Sequence, residues 1–228
     1  MTPLTRRAGR DPLPMALIVL TVLSGGVDAA SFLGLGHVFT ANMTGNVVVL
    51  GFAAGGAPGF SAAASLVSLL AFLAGAVVSG RVDHRVRPRR ARVLITLAAE
   101  AAVLGAAAVV AAVLDLSAPA GRYPVIAMVA AAMGLQNGTV RILAIPGITT
   151  TVLTRTLTGL ASESSLAGGT NAGAARRIAS VLAMLLGAYL GAVLLRHTGP
   201  PWVLVAVTVC VALIAAGYAV HPGSRREP

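Results

Sequence analysis

The chain has 228 residues, enough to bury a core, but 57% of them are hydrophobic, mean hydropathy is +0.87 and only 11% are charged. A water-soluble domain needs about a quarter of its residues charged to cover its surface, so these values exclude a soluble fold and point to a polytopic helical membrane protein in a lipid bilayer. The net charge of +10 comes from 17 basic residues, all arginine, gathered between apolar runs and not interleaved with aromatics, a pattern that argues against a nucleic-acid partner.

A helix that crosses about 30 Å of hydrocarbon needs about 20 apolar residues, and the predicted elements are read against that length. Residues 1–13 are a basic tail with Arg6, Arg7 and Arg10. The run 14–35 follows. A basic start, an apolar centre and small residues near Ala30 mimic a secretory signal, but the long apolar runs beyond it favour a retained first span. Arg6-Arg7 lacks the rest of a twin-arginine signal.

Late in this span comes GVDAASFLGLGHVFTANMTGNVVVLG, residues 26–51. Asp28 lies about 20 Å along the first helix, where an unpaired carboxylate must be protonated, paired or facing water. Two readings compete: a functional intramembrane carboxyl, or a cap on a helix broken at Gly25-Gly26. Asn42, Thr44 and Asn46 alternate with Met43 and Gly45. They suit either a solute site or a capped turn at the start of a half-helix. His37, beside glycines, is either a proton relay or a helix-end residue. The sequon pattern at Asn42 is discounted beside a membrane-buried segment. The apolar piece 38–54 after the cluster is too interrupted to read as a simple span.

The next runs are 62–80 and 93–114, separated by the arginine-rich RVDHRVRPRRAR of residues 81–92. Glu100 falls about 12 Å beyond Arg92 and is a candidate second cavity carboxyl for proton coupling with Asp28. The run 124–143 carries Gln136 and Asn137 near its end, and Arg141 suits a headgroup anchor. Residues 148–161, ITTTVLTRTLTGLA, hold six threonines and Arg155. As a helix this piece is about 21 Å long, short of a crossing, and an arginine at mid-bilayer costs about 2.5–3.5 kcal/mol or more. Thr154 and Arg155 are candidates for the same polar site. Arg155 either binds an anion, pairs with Asp28, or snorkels to the surface. Residues 162–177 read as a flexible linker. The runs 178–195 and 202–220 complete the set, the first with a GAYLG packing pattern at 187–191. Cys210 is the only cysteine, so no intrachain disulfide forms.

Arginine placement decides between six and eight crossings. With 38–54 and 148–161 both re-entrant and the N-terminus inside, 14 arginines lie inside and only Arg122 and Arg196 outside, with Arg155 in the membrane. With both pieces crossing, the split is even, and the positive-inside rule prefers six. Both termini are then expected on the cytoplasmic side of the bacterial inner membrane.

Self-comparison suggests an internal repeat. Asp28 and Gln136 each lie two residues after a glycine, late in an apolar helix, and a threonine-bearing interrupted segment follows each. LLAFLAGAVV (69–78) matches LLGAYLGAVL (185–194) at five of ten positions. Three crossings per half make the repeat inverted, the arrangement in which interrupted segments build a transporter's central site. The expected fold is therefore all-α, six crossings plus two short re-entrant segments in an inverted 3+3 repeat. The halves are 14–114 and 115–220, and 221–228 is a cytoplasmic tail.

At GGVDAASFLGLGHVFTANMTGNVVVLG the sequence resembles the YoaK-type family of bacterial integral-membrane proteins, a family of unknown function. Asp28 and FTANMTGN (39–46) carry the resemblance, with GLQNGTVR (134–141) and the threonines near 149–158, over residues 14–220. It implies an inner-membrane protein of about six helices and supplies no site residues of its own.

No nucleophile–base pair, P-loop, or metal-spaced His/Cys set is present, so neither an enzyme, a metal site nor a cofactor is expected. The leading expectation is a transporter or permease-like protein for a small polar or charged solute. Its candidate binding residues are Asp28, Asn42, Thr44, Asn46, Gln136, Asn137, Thr154 and Arg155. The alternative is a membrane scaffold or accessory subunit. Six short helices make a thin wall, so a homodimer fits either.

Overall fold

The computed structural model describes residues 12–143 and 153–225. The described residues form eight α-helices: α1 (Leu13–Gly34), α2 (Met43–Ala54), α3 (Ala62–Arg85), α4 (Arg89–Val113), α5 (Pro119–Leu143), α6 (Leu153–Ser162), α7 (Ala174–Thr198) and α8 (Pro200–Val220). Six of them, α1, α3, α4, α5, α7 and α8, are long and apolar enough to cross a membrane, as the six apolar runs predict. The protein is a polytopic helical membrane protein. Four of these helices extend three or more residues beyond the predicted runs at one end or both. At α3, α4 and α7 the added turns carry Arg81, Arg85, Arg89, Arg90, Arg92, Arg176, Arg177 and Arg196. Apolar counting stops where the hydrocarbon does, whereas the backbone ladder continues and lets each arginine stem lie along the helix with its head at the interface.

Close approaches between helices fix their directions. On α1 and α7, a Cβ at Gly187 would sit on the Val22 carbonyl and one at Gly191 on Gly26, so the two numberings rise together and the helices run parallel. On α3 and α5, Gly134 abuts Phe72, Gly75 abuts Ala131 and Leu135, and Gly138 abuts Ser79, so this pair is also parallel. Glycine at these positions lets backbones touch where lipid supplies no hydrophobic drive. By contrast α1 and α5 are antiparallel: Ser24 meets Gln136, and Leu13 shares a cavity with Leu143.

These directions settle both short helices. Because α7 is parallel to α1 and α5 antiparallel to it, α7 starts on the side where α5 ends, and α6 between them makes no net crossing. The first short segment behaves likewise. His37 Nδ1 lies 3.3 Å from the Gly59 carbonyl oxygen, so the end of α1 and the start of α3 share one face. Between them the chain dips until Thr40 reaches Asp28 and Phe39 reaches Ser68, each about six residues, or roughly 9 Å, inward from that face. The 12-residue α2 then leads back out, with Phe52 packing on Phe60.

One end of the bundle gathers the start of α1, the end of α3, the start of α4 and the end of α5. The end of α8 joins them, tied in by Arg90, which donates to the Ala219 carbonyl at 2.6 Å and to Ser224 Oγ at 3.2 Å. This is the arginine-rich end. The opposite end holds the loop before α5, where Arg122 Nε donates to the Leu116 carbonyl at 2.6 Å. Hydrogen bonds from the Ser117 hydroxyl and amide, with Arg122's charge nearby, hold the Asp115 carboxyl below the usual carboxylate range. Within the expected linker 162–177, hydrogen bonds close a turn between α6 and α7. Gly169 N bonds the Ser164 carbonyl, Asn171 N the Glu163 carbonyl, and Arg177 pairs with Glu163 at 2.7 Å while donating to Gly159 at the end of α6.

Two tests follow from this packing. In a Cys210→Ser background, single cysteines at Ala57, Ala120 and Thr198 should be labelled from one side of the membrane, and those at His84 and Ser165 from the other. Labelling of position 57 with position 84, or of 165 with 120, would mean that α2 or α6 crosses. Gly187→Val should force α1 and α7 apart, because its Cβ would lie 1.8 Å from a backbone oxygen, costing about 1–3 kcal/mol or more. The loss should show as a lower melting temperature in detergent. Gly217→Ala, with nothing within 4 Å of the added carbon, should leave melting unchanged or raise it.

Candidate functional site

Local chemistry builds the first polar cluster at the tip of the re-entrant segment. α1 ends with Leu35 N donating to Ser31 O and His37 N to Phe32 O, with Gly36 at φ +97° and His37 at φ +57°. This left-handed stop turns the chain back into the bundle. His37 is thus a helix-end residue, edge-on to the Phe32 ring. Phe39 stacks on Phe32 with ring centroids 4.7 Å apart, and only a glycine at 45 leaves room for it.

Backbone that is not helical at this depth must find partners inside the protein. Asp28 supplies them. Its Oδ1 accepts from Thr40 N at 3.0 Å and Ala41 N at 2.8 Å. Asn46 does the same for Phe39: Oδ1 accepts from Phe39 N at 2.8 Å, while Nδ2 donates to Phe39 O at 2.6 Å and to Ser68 Oγ at 3.0 Å. Ser68 also donates to Phe39 O, and Thr40 to Ser31 Oγ. Asn42 is the N-cap of α2, its side chain accepting from Gly45 N. Asp28 Oδ2 has no hydrogen-bond partner among the described residues although the residue is only 5% exposed.

A second cluster lies on the arginine-rich side of Asp28. Gln136 Nε2 donates to Ser24 Oγ at 3.0 Å, and Ser24 sits one turn from Asp28 on α1. Among the described residues Gln136 Oε1 and both oxygens of Glu100 lack hydrogen-bond partners, and these residues are 1% and 0% exposed. Glu100 and Gln136 line one cavity of about 20 Å³ with Thr96, Thr139, Leu20 and Leu97, room for about one water molecule.

The predicted residues therefore divide. Asp28, Asn42 and Asn46 meet at the re-entrant tip. Gln136 shares a cavity with Glu100 and donates to Ser24, one turn from Asp28 on α1. Asn137 bonds back to Met133 O at 2.8 Å on its own helix. Thr44, Thr154 and Arg155 are exposed and are brought to neither cluster. Thr44 lies on the outward face of the first turn of α2, and the exposed pair lies on α6, which is held to α7 by Arg177. No bond joins Arg155 to Asp28, whose Oδ1 is taken by backbone amides. The start of the segment 148–161 lies outside the described residues. Sequence reading missed Ser31, Thr40, Ser68, Ser24, Thr96 and Thr139. Single hydroxyls in apolar helices usually bond their own backbone, as Thr21 and Ser24 do here, so only three-dimensional proximity separates them from that background.

A family profile described as "Protein of unknown function (DUF1275)" matches residues 16–217. The chain belongs to the DUF1275 family. It is also 37% identical over 169 residues to the UPF0700 transmembrane protein YoaK of Bacillus subtilis (strain 168), covering 71% of this chain and 70% of that protein. No solved structure matches the chain. The DUF1275 match spans both polar clusters and all six crossing helices.

The two roles of Asp28 separate by substitution. Asp28→Ala removes an acceptor from two buried amides and should cost about 1–3 kcal/mol, seen as a lower melting temperature in detergent. Asp28→Asn keeps an acceptor oxygen in place and should retain most of that stability. Asn46→Leu should also lower the melting temperature, because it strands the Phe39 amide while Phe39 O keeps Ser68 Oγ as its donor.

Proposed function

We propose that this protein is a transporter or permease-like protein that moves a small polar solute through a central polar site, with Asp28 and Glu100 as its proton-coupling carboxyls. The observation that supports it is the set of unpaired oxygens, Asp28 Oδ2, Glu100 Oε1 and Oε2 and Gln136 Oε1, buried within a six-helix membrane bundle beside a re-entrant tip. Ionisable groups at such depth are expensive, and carrying substrate or protons is the usual reason for them. The site offers acceptors in excess. The positive end of α2, where an anion would otherwise settle, is taken by Asp28. A solute that donates hydrogen bonds, neutral or cationic, suits this interior better than an anion.

The same reading assigns residues 14–114 and 115–220 to an inverted repeat. Exchanging α1 with α5, α3 with α7 and α4 with α8 turns the parallel pair α1–α7 into the parallel pair α5–α3. It leaves the α1–α5 and α4–α8 contacts in place. The matched glycines Gly75 and Gly191 each press on the partner helix at the equivalent level. With the arginine-rich end in the cytoplasm of a bacterial inner membrane, both termini are cytoplasmic. The scaffold reading keeps one specific support: Asn46 is saturated by Phe39 and Ser68, a purely structural use of a polar group. A homodimer would thicken the wall under either reading.

The test is flux in proteoliposomes under an imposed pH gradient, with a panel of labelled amines, amino acids and sugars. Wild-type protein should move at least one of them. Asp28→Asn and Glu100→Gln should each lose that flux by about tenfold or more while still folding. Absence of wild-type flux across the panel, or full flux in both variants, would overturn the proposal in favour of the scaffold.

A further inference from the structure

A line of side chains outside the re-entrant tip leads from the arginine-rich end to Glu100. At the surface, Arg92 and Asp83 form an ion pair, each about a quarter exposed. Below it, a space of about 10 Å³ is lined by Asp83, Arg92, Ser79, Thr96 and Thr139. Inside, Thr139 Oγ1 lies 3.0 Å from Ser79 Oγ and 3.0 Å from Thr96 Oγ1. Thr96 and Thr139 also line the inner cavity that holds Glu100 and Gln136. The two threonines are thus a shared wall between the ion pair and a buried carboxyl with neither oxygen partnered among the described residues. Thr96 is one turn from Glu100 on α4.

We propose that Ser79, Thr139 and Thr96 form a proton conduit between the arginine-rich face and Glu100, closed at its mouth by the Asp83–Arg92 ion pair. A hydroxyl both donates and accepts. A water in the outer space passes a proton from the Asp83 end to the Ser79 hydroxyl, Ser79 releases its own proton to Thr139 and Thr139 to Thr96, and a water in the inner cavity carries the last proton from Thr96 to a Glu100 carboxylate oxygen. One proton enters and one carboxylate becomes a neutral acid; the hydroxyls end unchanged in charge, and release runs the steps backwards. The chemistry favours a proton over a metal cation. Arg92 at the mouth repels a metal cation, and neither space exceeds the volume of about one water, too small for a hydrated metal ion. An anion is opposed by Glu100. Among the residues lining the two cavities, the ionisable side chains are Glu100, Asp83 and Arg92. On α1 the nearest is Asp28, one turn beyond Ser24. α5 presents Gln136 and Thr139, and α8 packs on the far side of α4 without lining either space.

This inference deepens the transport reading by giving its proton a route and a side of entry, but its test contains no solute. The experiment is infrared spectroscopy of the intact protein in lipid vesicles, following the C=O stretch of protonated carboxyls after a switch from H₂O to D₂O. The Glu100 band is the one lost in Glu100→Gln. In wild type it should shift on deuteration. Thr139→Val should slow the shift by about tenfold, and Thr96→Val similarly, whereas Thr139→Ser, which keeps the hydroxyl, should exchange within about twofold of wild type. An unchanged exchange rate in both valine variants, or the absence of any band lost in Glu100→Gln, would overturn the conduit. A flux panel that fails while exchange slows as stated would overturn the transport reading alone.

Discussion

The fold depends on a hydrogen-bonding constraint: backbone amides drawn into hydrocarbon must be satisfied by the protein itself. Residues 38–42 leave helical geometry about 9 Å below the membrane face and carry several such groups. Asp28 and Asn46 answer them from opposite directions, Asp28 from α1 and Asn46 from the first turn of α2, with Ser68 reaching in from α3. Remove that set and the tip keeps only the Phe39–Phe32 stack, the Thr40–Ser31 bond and the burial of Val38 and Ala41, with its backbone amides stranded. A carboxylate is the economical choice for this job. It accepts from consecutive amides at once, and the N-terminus of the half-helix stabilises its charge.

That structural use leaves a surplus. A carboxylate has two oxygens and about four acceptor positions, and the tip occupies one oxygen. Oδ2 is left inside the bundle, one turn from the serine that bonds Gln136. The structural and functional readings of Asp28 are therefore compatible, one for each oxygen. The tip holds the side chain in a fixed rotamer, and a fixed rotamer is what a binding group needs. Asn46 differs. Its amide is consumed on both ends by Phe39 and Ser68, so it positions the tip and offers nothing further.

Much of this was legible in sequence, and unevenly so. The six crossing helices follow from run length alone, since hydrocarbon thickness sets a threshold that no loop in this chain imitates. The non-crossing of 38–54 and 148–161 followed from arginine placement, a global property of the chain. Asp28, Asn42 and Asn46 stood out because polar groups at three nearby positions interrupt a strongly apolar stretch. The meeting of Glu100 with Gln136 could not be read, because no periodicity relates α4 to α5; it is set by which faces of two antiparallel helices come together. The hydroxyls of Ser79, Thr96 and Thr139 were invisible for a second reason. A lone hydroxyl in a helix bonds its own carbonyl and carries no sequence signal, and Thr139 does that too, donating to Leu135 O at 3.1 Å. The exposure of Thr154 was missed, and that of Arg155 stood only as one of its readings, because the two awkward segments were treated as equivalent, whereas α6 is held by Arg177 and Glu163 at its end and exposes most of its described surface.

The two clusters differ in a way that bears on direction. The tip at Asp28 is built from backbone and fixed side chains and lies toward the Arg122 end. The Glu100–Gln136 pair lies toward the arginine-rich end, and its oxygens are not held by any hydrogen bond. Ser24 and Asp28, one helical turn or about 6 Å apart along α1, are the only polar step between them on that helix. α1 is also the most enclosed of the six crossing helices, clamped against α7 through Gly25, Gly187 and Gly191. A helix pressed backbone to backbone against its neighbour has little room to tilt alone, and the α3–α5 seam has the same build. Ser24 and Gln136 join the two seams by one hydrogen bond, and Glu100, on α4, lies outside both seams, so its cavity can change shape without breaking either glycine contact.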